Sequence, residues 1–221
     1  MVKLIITTIT LCLLAAQTLA ASPTVTTLTA PLVFSGFSDG AVFDVTGQKL
    51  VASVPLPAVV VIDGTHNPNG SGQTFDVTIK LGIVDGANMA ADGVHITGIE
   101  DSQITISSIG GVTTNGLYAY SSGCCGLFNN FIRIGAIRNN GENGAIFVSP
   151  SSGVFGVQGN HIEIGQVIAN GASGIALFGV SAYNYLVVGP VEHNALYGCY
   201  QQAANTWLIV NSNSNGMRQV C

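Results

Sequence analysis

Apolar residues recur at every second position in short bursts along this chain, and the bursts themselves repeat. Between Ile79 and Ile209 one phrase is written six times, an apolar, any, apolar triplet followed in most copies by Gly, one more residue and then Ile or Val. The copies are Ile79-Lys80-Leu81-Gly82, Ile104-Thr105-Ile106-Ser107, Ile132-Arg133-Ile134-Gly135, Ile162-Glu163-Ile164-Gly165, Leu186-Val187-Val188-Gly189 and Trp207-Leu208-Ile209-Val210. Their first positions lie 25, 28, 30, 24 and 21 residues apart. A second phrase follows out of phase: Asp92-Gly93-Val94, Asn115-Gly116-Leu117, Asn143-Gly144-Ala145, Ser173-Gly174-Ile175, Tyr197-Gly198-Cys199 and Asn215-Gly216-Met217, with glycines 23, 28, 30, 24 and 18 residues apart. Two phrases that stretch and shrink together mark one coil, repeated.

The period of two makes each triplet a strand whose first and third residues face one way and whose middle residue faces the other. The expected inward columns are Ile79, Ile104, Ile132, Ile162, Leu186, Trp207 and Leu81, Ile106, Ile134, Ile164, Val188, Ile209; the outward column is Lys80, Thr105, Arg133, Glu163, Val187, Leu208. β-Branched residues dominate and Gly or Asn interrupts every few positions, which disfavours helix. The Gly after each triplet reads as a corner, and Val84, Ile109, Ile137, Val167 and Val191 as the start of a further buried strand. Asn140, Asn170, Asn194 and Asn215 fall at equivalent positions and predict a ladder of stacked amides.

The expected fold is all-β, a solenoid with three short strands per coil, each pairing with its copy in the next coil about 4.8 Å away. On these phrases residues 74–221 resemble the right-handed parallel β-helix superfamily of pectin lyases and phage tailspikes. The resemblance implies a polysaccharide substrate or ligand lying along an outer face. The paired-aspartate and His-Gly signatures of polygalacturonases are missing, as is the acidic calcium-binding cluster of pectate lyases, so the resemblance assigns no catalytic residue.

Composition agrees: 28 Gly, 48% hydrophobic and only 8% charged residues. Met1-Val2-Lys3, an apolar run from Leu4 to Ala16 and small residues ending at Ala21 predict a secretory signal over residues 1–21, and so a secreted protein. Residues 22–73 predict an N-terminal cap with irregular first coils. The formal net charge of −5 comes with no cluster of Lys or Arg, which argues against nucleic acid, and no second long apolar segment predicts a membrane span. The final coil stops without a capping segment, so either the chain is part of a longer protein or another subunit covers this end, and homo-oligomerisation through the C-terminal coil or an apolar outer face is the corresponding expectation. Cys124 and Cys125 are adjacent; Cys221 falls about 13 Å further along its strand than Cys199 does, so that a direct bond between them distorts the last coil.

Candidate chemistry sits at outward positions of the strand after each repeated Gly: His95, Tyr118, Ile146, Ala176, Tyr200, Arg218, and two residues on, Thr97, Tyr120, Val148, Phe178, Gln202, Val220. Tyr118, Tyr120, Phe178 and Tyr200 are the expected substrate-binding residues, because aromatic planes stack on the C–H faces of sugar rings. The alternative is a surface covered by a loop or a partner chain, as in a non-catalytic tailspike-like or adhesin module. Arg133 and Glu163 predict a surface ion pair, Asp92 a turn residue, and His161 and His193 corner positions. No metal-ligand spacing occurs and no cofactor is implied. Asn69-Gly70-Ser71 is a glycosylation acceptor triplet.

Overall fold

The computed structural model describes residues 22–68, 72–121, 125–149, 156–179, 181–201 and 207–215. The expected signal over residues 1–21, the triplet Asn69-Gly70-Ser71, Cys124, Cys221, Arg218, Gln202 and Val220 lie outside this set.

The described residues form a parallel β-solenoid of three sheets and no helix. A nine-stranded sheet carries the triplets, a seven-stranded sheet carries the strand after each repeated Gly, and a five-stranded sheet is built from two-residue strands such as Leu127–Phe128 and Val157–Gln158. Every pairing is parallel, one coil onto the next, and the triplets align as the repeat requires: Ile79 with Ile104, Ile104 with Ile132, Ile132 with Ile162, Ile162 with Leu186. Strands at Thr24–Leu28 and Leu32–Ser35 already pair with Val42–Ala52 and Leu56–Asp63, and a register shift between Val45 and Lys49 marks this part as less regular.

The inward columns from Ile79 to Val188 are 0–1% exposed and form one continuous apolar core with Val84, Ile109, Ile137, Val167 and Val191. The last coil departs from expectation by one residue. Leu208 pairs with Leu186 and Val210 with Val188, so these two face the core, while Ile209 is 46% exposed. The shift is taken up at the corner, which is shorter by one residue: Asn215 still receives Asn194 in the ladder, so the strand pairing runs with an offset of 22 residues and the ladder with 21.

The Gly after each triplet is not a corner either. The strand runs through Gly82, Gly135 and Gly189, as in Phe131–Arg138, and at Gly165 it breaks into His161–Ile164 and Val167–Ile168 without leaving the sheet. Glycine is needed there for close approach, since a Cβ at Gly135 would run into the carbonyl oxygen of Ser107, and one at Gly165 into that of Gly135. True corners occur where single residues take left-handed backbone: Asn139, Ala169 and His193 in successive coils, and Asp101, Asn129, Gly159 and Tyr183 in another stack. Each is followed by a ladder residue.

Two polar ladders follow these corners, and a third joins Asp92, Asn115, Asn143 and Ser173. In the expected one, Asn140 Nδ2 donates to Asn170 Oδ1 (2.8 Å), Asn170 Nδ2 to Asn194 Oδ1 (2.7 Å) and Asn194 Nδ2 to Asn215 Oδ1 (2.7 Å), with backbone N–H groups of Asn140, Asn170 and Asn194 donating to the same oxygens. The second joins Ser102, Asn130, Asn160 and Asn184, in which each residue donates its N–H to the side-chain oxygen of the next at 3.0–3.1 Å. The corner residues are exposed, but the ladder residues Ser102, Asn130, Asn140, Asn160, Asn170, Asn184 and Asn194 are almost wholly buried, so the amides satisfy backbone groups that water does not reach.

Candidate functional site

The outer face of the seven-stranded sheet is set by the second repeated phrase. Gly93, Gly116, Gly144 and Gly174 each donate N–H to the carbonyl one position before the next coil's Gly, at 2.8–3.0 Å. A Cβ at Gly116 would press on the Gly144 carbonyl and on Ile137. With the corners locked, residues in neighbouring coils fall opposite one another: His95, Tyr118, Ile146, Ala176 and Tyr200 in one row, Tyr120, Val148 and Phe178 in the next. Alternation buries Leu117 and Ala119 and leaves Tyr118 and Tyr120 half-exposed.

The four expected binding residues share this face but fall into two groups. Tyr118 and Tyr120 stack at 5.1 Å between ring centroids, with His95 5.3 Å from Tyr118 and 6.2 Å from Tyr120. Phe178 lies 5.5 Å from Tyr200, which also meets Tyr197 at 5.6 Å. Half-exposed Ile146 and Val148 bridge the groups. Tyr118 and Tyr200 are three coil spacings apart, about 14 Å. Two positions expected outward are buried: Thr97 at 3%, because Gly98 turns the chain in left-handed backbone beside it, and Ala176 at 1%, whose methyl group lies lower than its longer neighbours in the row, Ile146 and Tyr200.

Asp92 does more than form a turn. Within the strand Ala90–Thr97 alternation is interrupted at Gly93, where residues 93 and 94 are both buried, and this brings Asp92 and His95 to the same side. His95 Nε2 donates to Asp92 Oδ2 at 2.7 Å, while Asp92 Oδ1 accepts from Thr114 Oγ1 (2.6 Å), Asn115 N (2.8 Å) and Asn115 Nδ2 (3.0 Å). Burial opposes ionisation of Asp92, yet the hydrogen bonds from His95, Thr114 and Asn115 outweigh it and hold the carboxyl below its usual value. An ionised Asp92 only accepts, so His95 carries a hydrogen on Nε2, and in the uncharged form of the ring Nδ1 is the acceptor. Tyr120 is pushed the other way by burial, by Asp63 and by Tyr118, so its hydroxyl keeps its proton. The pattern Asp-Gly-x-His held the clue to this pair; a strict strand puts residues three apart on opposite faces, and only the interruption at the glycine brings them together.

The nine-stranded sheet presents a different surface. Arg133 Nε meets Glu163 Oε2 at 3.2 Å, the expected ion pair, with Arg133 well exposed. His161 is a strand residue rather than a corner residue, seated between Phe131 and Tyr185 at 5.2 and 5.1 Å. His193 does occupy a corner. Among the described residues no group of three His, Cys, Asp or Glu converges as a metal site. Cys125 is a buried thiol donating to the Gly72 carbonyl, and Cys199 is disulfide-bonded. No helix among the described residues is long and apolar enough to cross a membrane. Compared with protein families, curated proteins and solved structures, the chain shows no significant match.

Proposed function

We propose that this chain is an extracellular polysaccharide-recognition protein that lays a glycan along the outer face of its seven-stranded sheet. The observation that carries this reading is the in-register pair of aromatic groups, Tyr118 with Tyr120 and Phe178 with Tyr200, half-exposed and joined by Ile146 and Val148. Sugar rings offer C–H faces to such planes and hydroxyls to the polar groups beside them. A span of about 14 Å suits two or three sugar units better than one small ligand.

A second reading, degradation of the bound glycan, is favoured by one observation, the Asp92–His95 pair beside Tyr118. A carboxylate that fixes the tautomer of an imidazole leaves the opposite nitrogen available as a general base. A panel of polysaccharides assayed for retention, for new reducing ends and for ultraviolet absorbance of unsaturated products separates the readings. Retention without products supports recognition, and products abolished by His95→Ala support degradation. Failure to retain any polysaccharide, with an oligomer whose contact maps to Tyr118 and Tyr200, would replace both with an assembly surface of the tailspike or adhesin kind.

A further inference from the structure

The solenoid divides its charge unequally between its outer faces. All four Lys and Arg residues of the described set, Lys49, Lys80, Arg133 and Arg138, belong to strands of the nine-stranded sheet. Three of them already face a carboxylate, Lys49 with Asp85 at 2.8 Å, Lys80 with Asp44 at 3.8 Å and Arg133 with Glu163 at 3.2 Å. The strands of the seven-stranded sheet contain no Lys or Arg among the described residues, and their carboxylates are Asp63 and Asp92. Asp63 is close enough to Tyr120 to act on its ionisation, and Asp92 lies behind His95. Between the aromatic groups the surface is aliphatic, Ile146 and Val148.

From this distribution we infer that the aromatic face selects uncharged glycan chains and rejects polyuronates. The inference rests on the glycan reading above and narrows its substrate class. A uronate carboxylate brought against Tyr118, Ile146 or Val148 sheds hydration and finds no Lys or Arg among the described residues of this face to replace it. It also meets the fields of Asp63 and Asp92, which are of its own sign. An uncharged pyranose has neither cost: its C–H faces rest on the rings and the aliphatic bridge, and its hydroxyls donate to His95 Nδ1 or accept from the Tyr120 hydroxyl. Rejection by an unpaired charge is a stronger filter than a missing contact, because the penalty falls on the wrong ligand alone.

Polymers matched in backbone and differing only at C6 test this directly: β-1,4-mannan against polymannuronate, and β-glucan against its C6-oxidised form. Affinity electrophoresis and calorimetry at low ionic strength should show at least about tenfold preference for the neutral member of any pair that is bound. Equal or tighter binding of a uronate polymer, weakened by salt, overturns the inference while leaving glycan recognition standing. Binding of no polymer of either kind overturns the glycan reading itself, and the inference with it. Val148→Lys, or Ile146→Lys if the first variant fails to melt cooperatively, should raise affinity for the uronate member about tenfold by giving its carboxylate a partner. A folded lysine variant with unchanged preference contradicts the electrostatic account.

Discussion

The two larger sheets of this solenoid share one core and one register, yet their outer faces have opposite character. The nine-stranded sheet carries the described cations, mostly paired across neighbouring coils, with Phe131, His161 and Tyr185 in a ring ladder beside them. The seven-stranded sheet carries two aromatic groups, an aliphatic bridge and two carboxylates. Because inward residues alone satisfy the repeat, outward residues are left to vary from coil to coil. Among the described residues the cations segregate to one face while exposed rings occur on both, and residues within one coil need not converge to build a lengthwise ligand site.

Breaking the shared core should erase both faces at once. Ile134 and Ile164 are each 1% exposed; burial of such a side chain is worth roughly 1.5–3 kcal/mol, and a carboxylate in its place has no partner. Ile134→Asp and Ile164→Asp are expected to abolish folding, measured by loss of cooperative melting. A smaller but substantial loss is expected from Asn170→Ala, which leaves the Asn140 N–H and side-chain amide without their shared acceptor in a buried corner. Chemical denaturation should report a loss of about 2–4 kcal/mol.

The faces themselves are expected to tolerate more. Asp92→Asn replaces a charge-assisted hydrogen-bond acceptor that is partly exposed, so the cost at neutral pH is about 1 kcal/mol. Its sign with pH follows from the lowered carboxyl value: the folded state binds this proton less readily than the unfolded state, so the stabilisation is present at neutral pH and is lost as pH falls through the carboxylate range. Denaturation midpoints of wild type and Asp92→Asn should accordingly converge on acidification. Arg133→Ala on the opposite face is expected to change stability by about 0–1 kcal/mol; a loss above about 3 kcal/mol would show that this face is covered.

The sequence made the core legible because inward residues obey a strict rule. The triplet columns, the strand after the repeated Gly and the ladder of Asn140, Asn170, Asn194 and Asn215 all follow from spacing. The second ladder was equally regular, since Ser102, Asn130, Asn160 and Asn184 each stand two residues before the first residue of a triplet; its signal lay in the constant offset. The last coil misled because Trp207-Leu208-Ile209-Val210 is apolar throughout, so alternation fits two registers, and the chain takes the other one with a corner shorter by one residue. The Asp92–His95 pair was hidden because it depends on where a glycine interrupts the pleat, which spacing alone does not specify.

Whether the aromatic face of the seven-stranded sheet holds a glycan, as proposed, is decided by a Tyr118→Ala, Tyr200→Ala double variant. The two rings lie in one row on opposite sides of Ile146 and Ala176, so their removal strips both ends of the stripe while leaving the core columns intact. Calorimetric titration of the variant against every polysaccharide bound by the wild type, with circular dichroism and thermal melting on the same samples, should show a retained fold and at least about a tenfold loss of affinity for each ligand. Unchanged affinity in a folded double variant would contradict the account and leave the stripe as packing or interface surface.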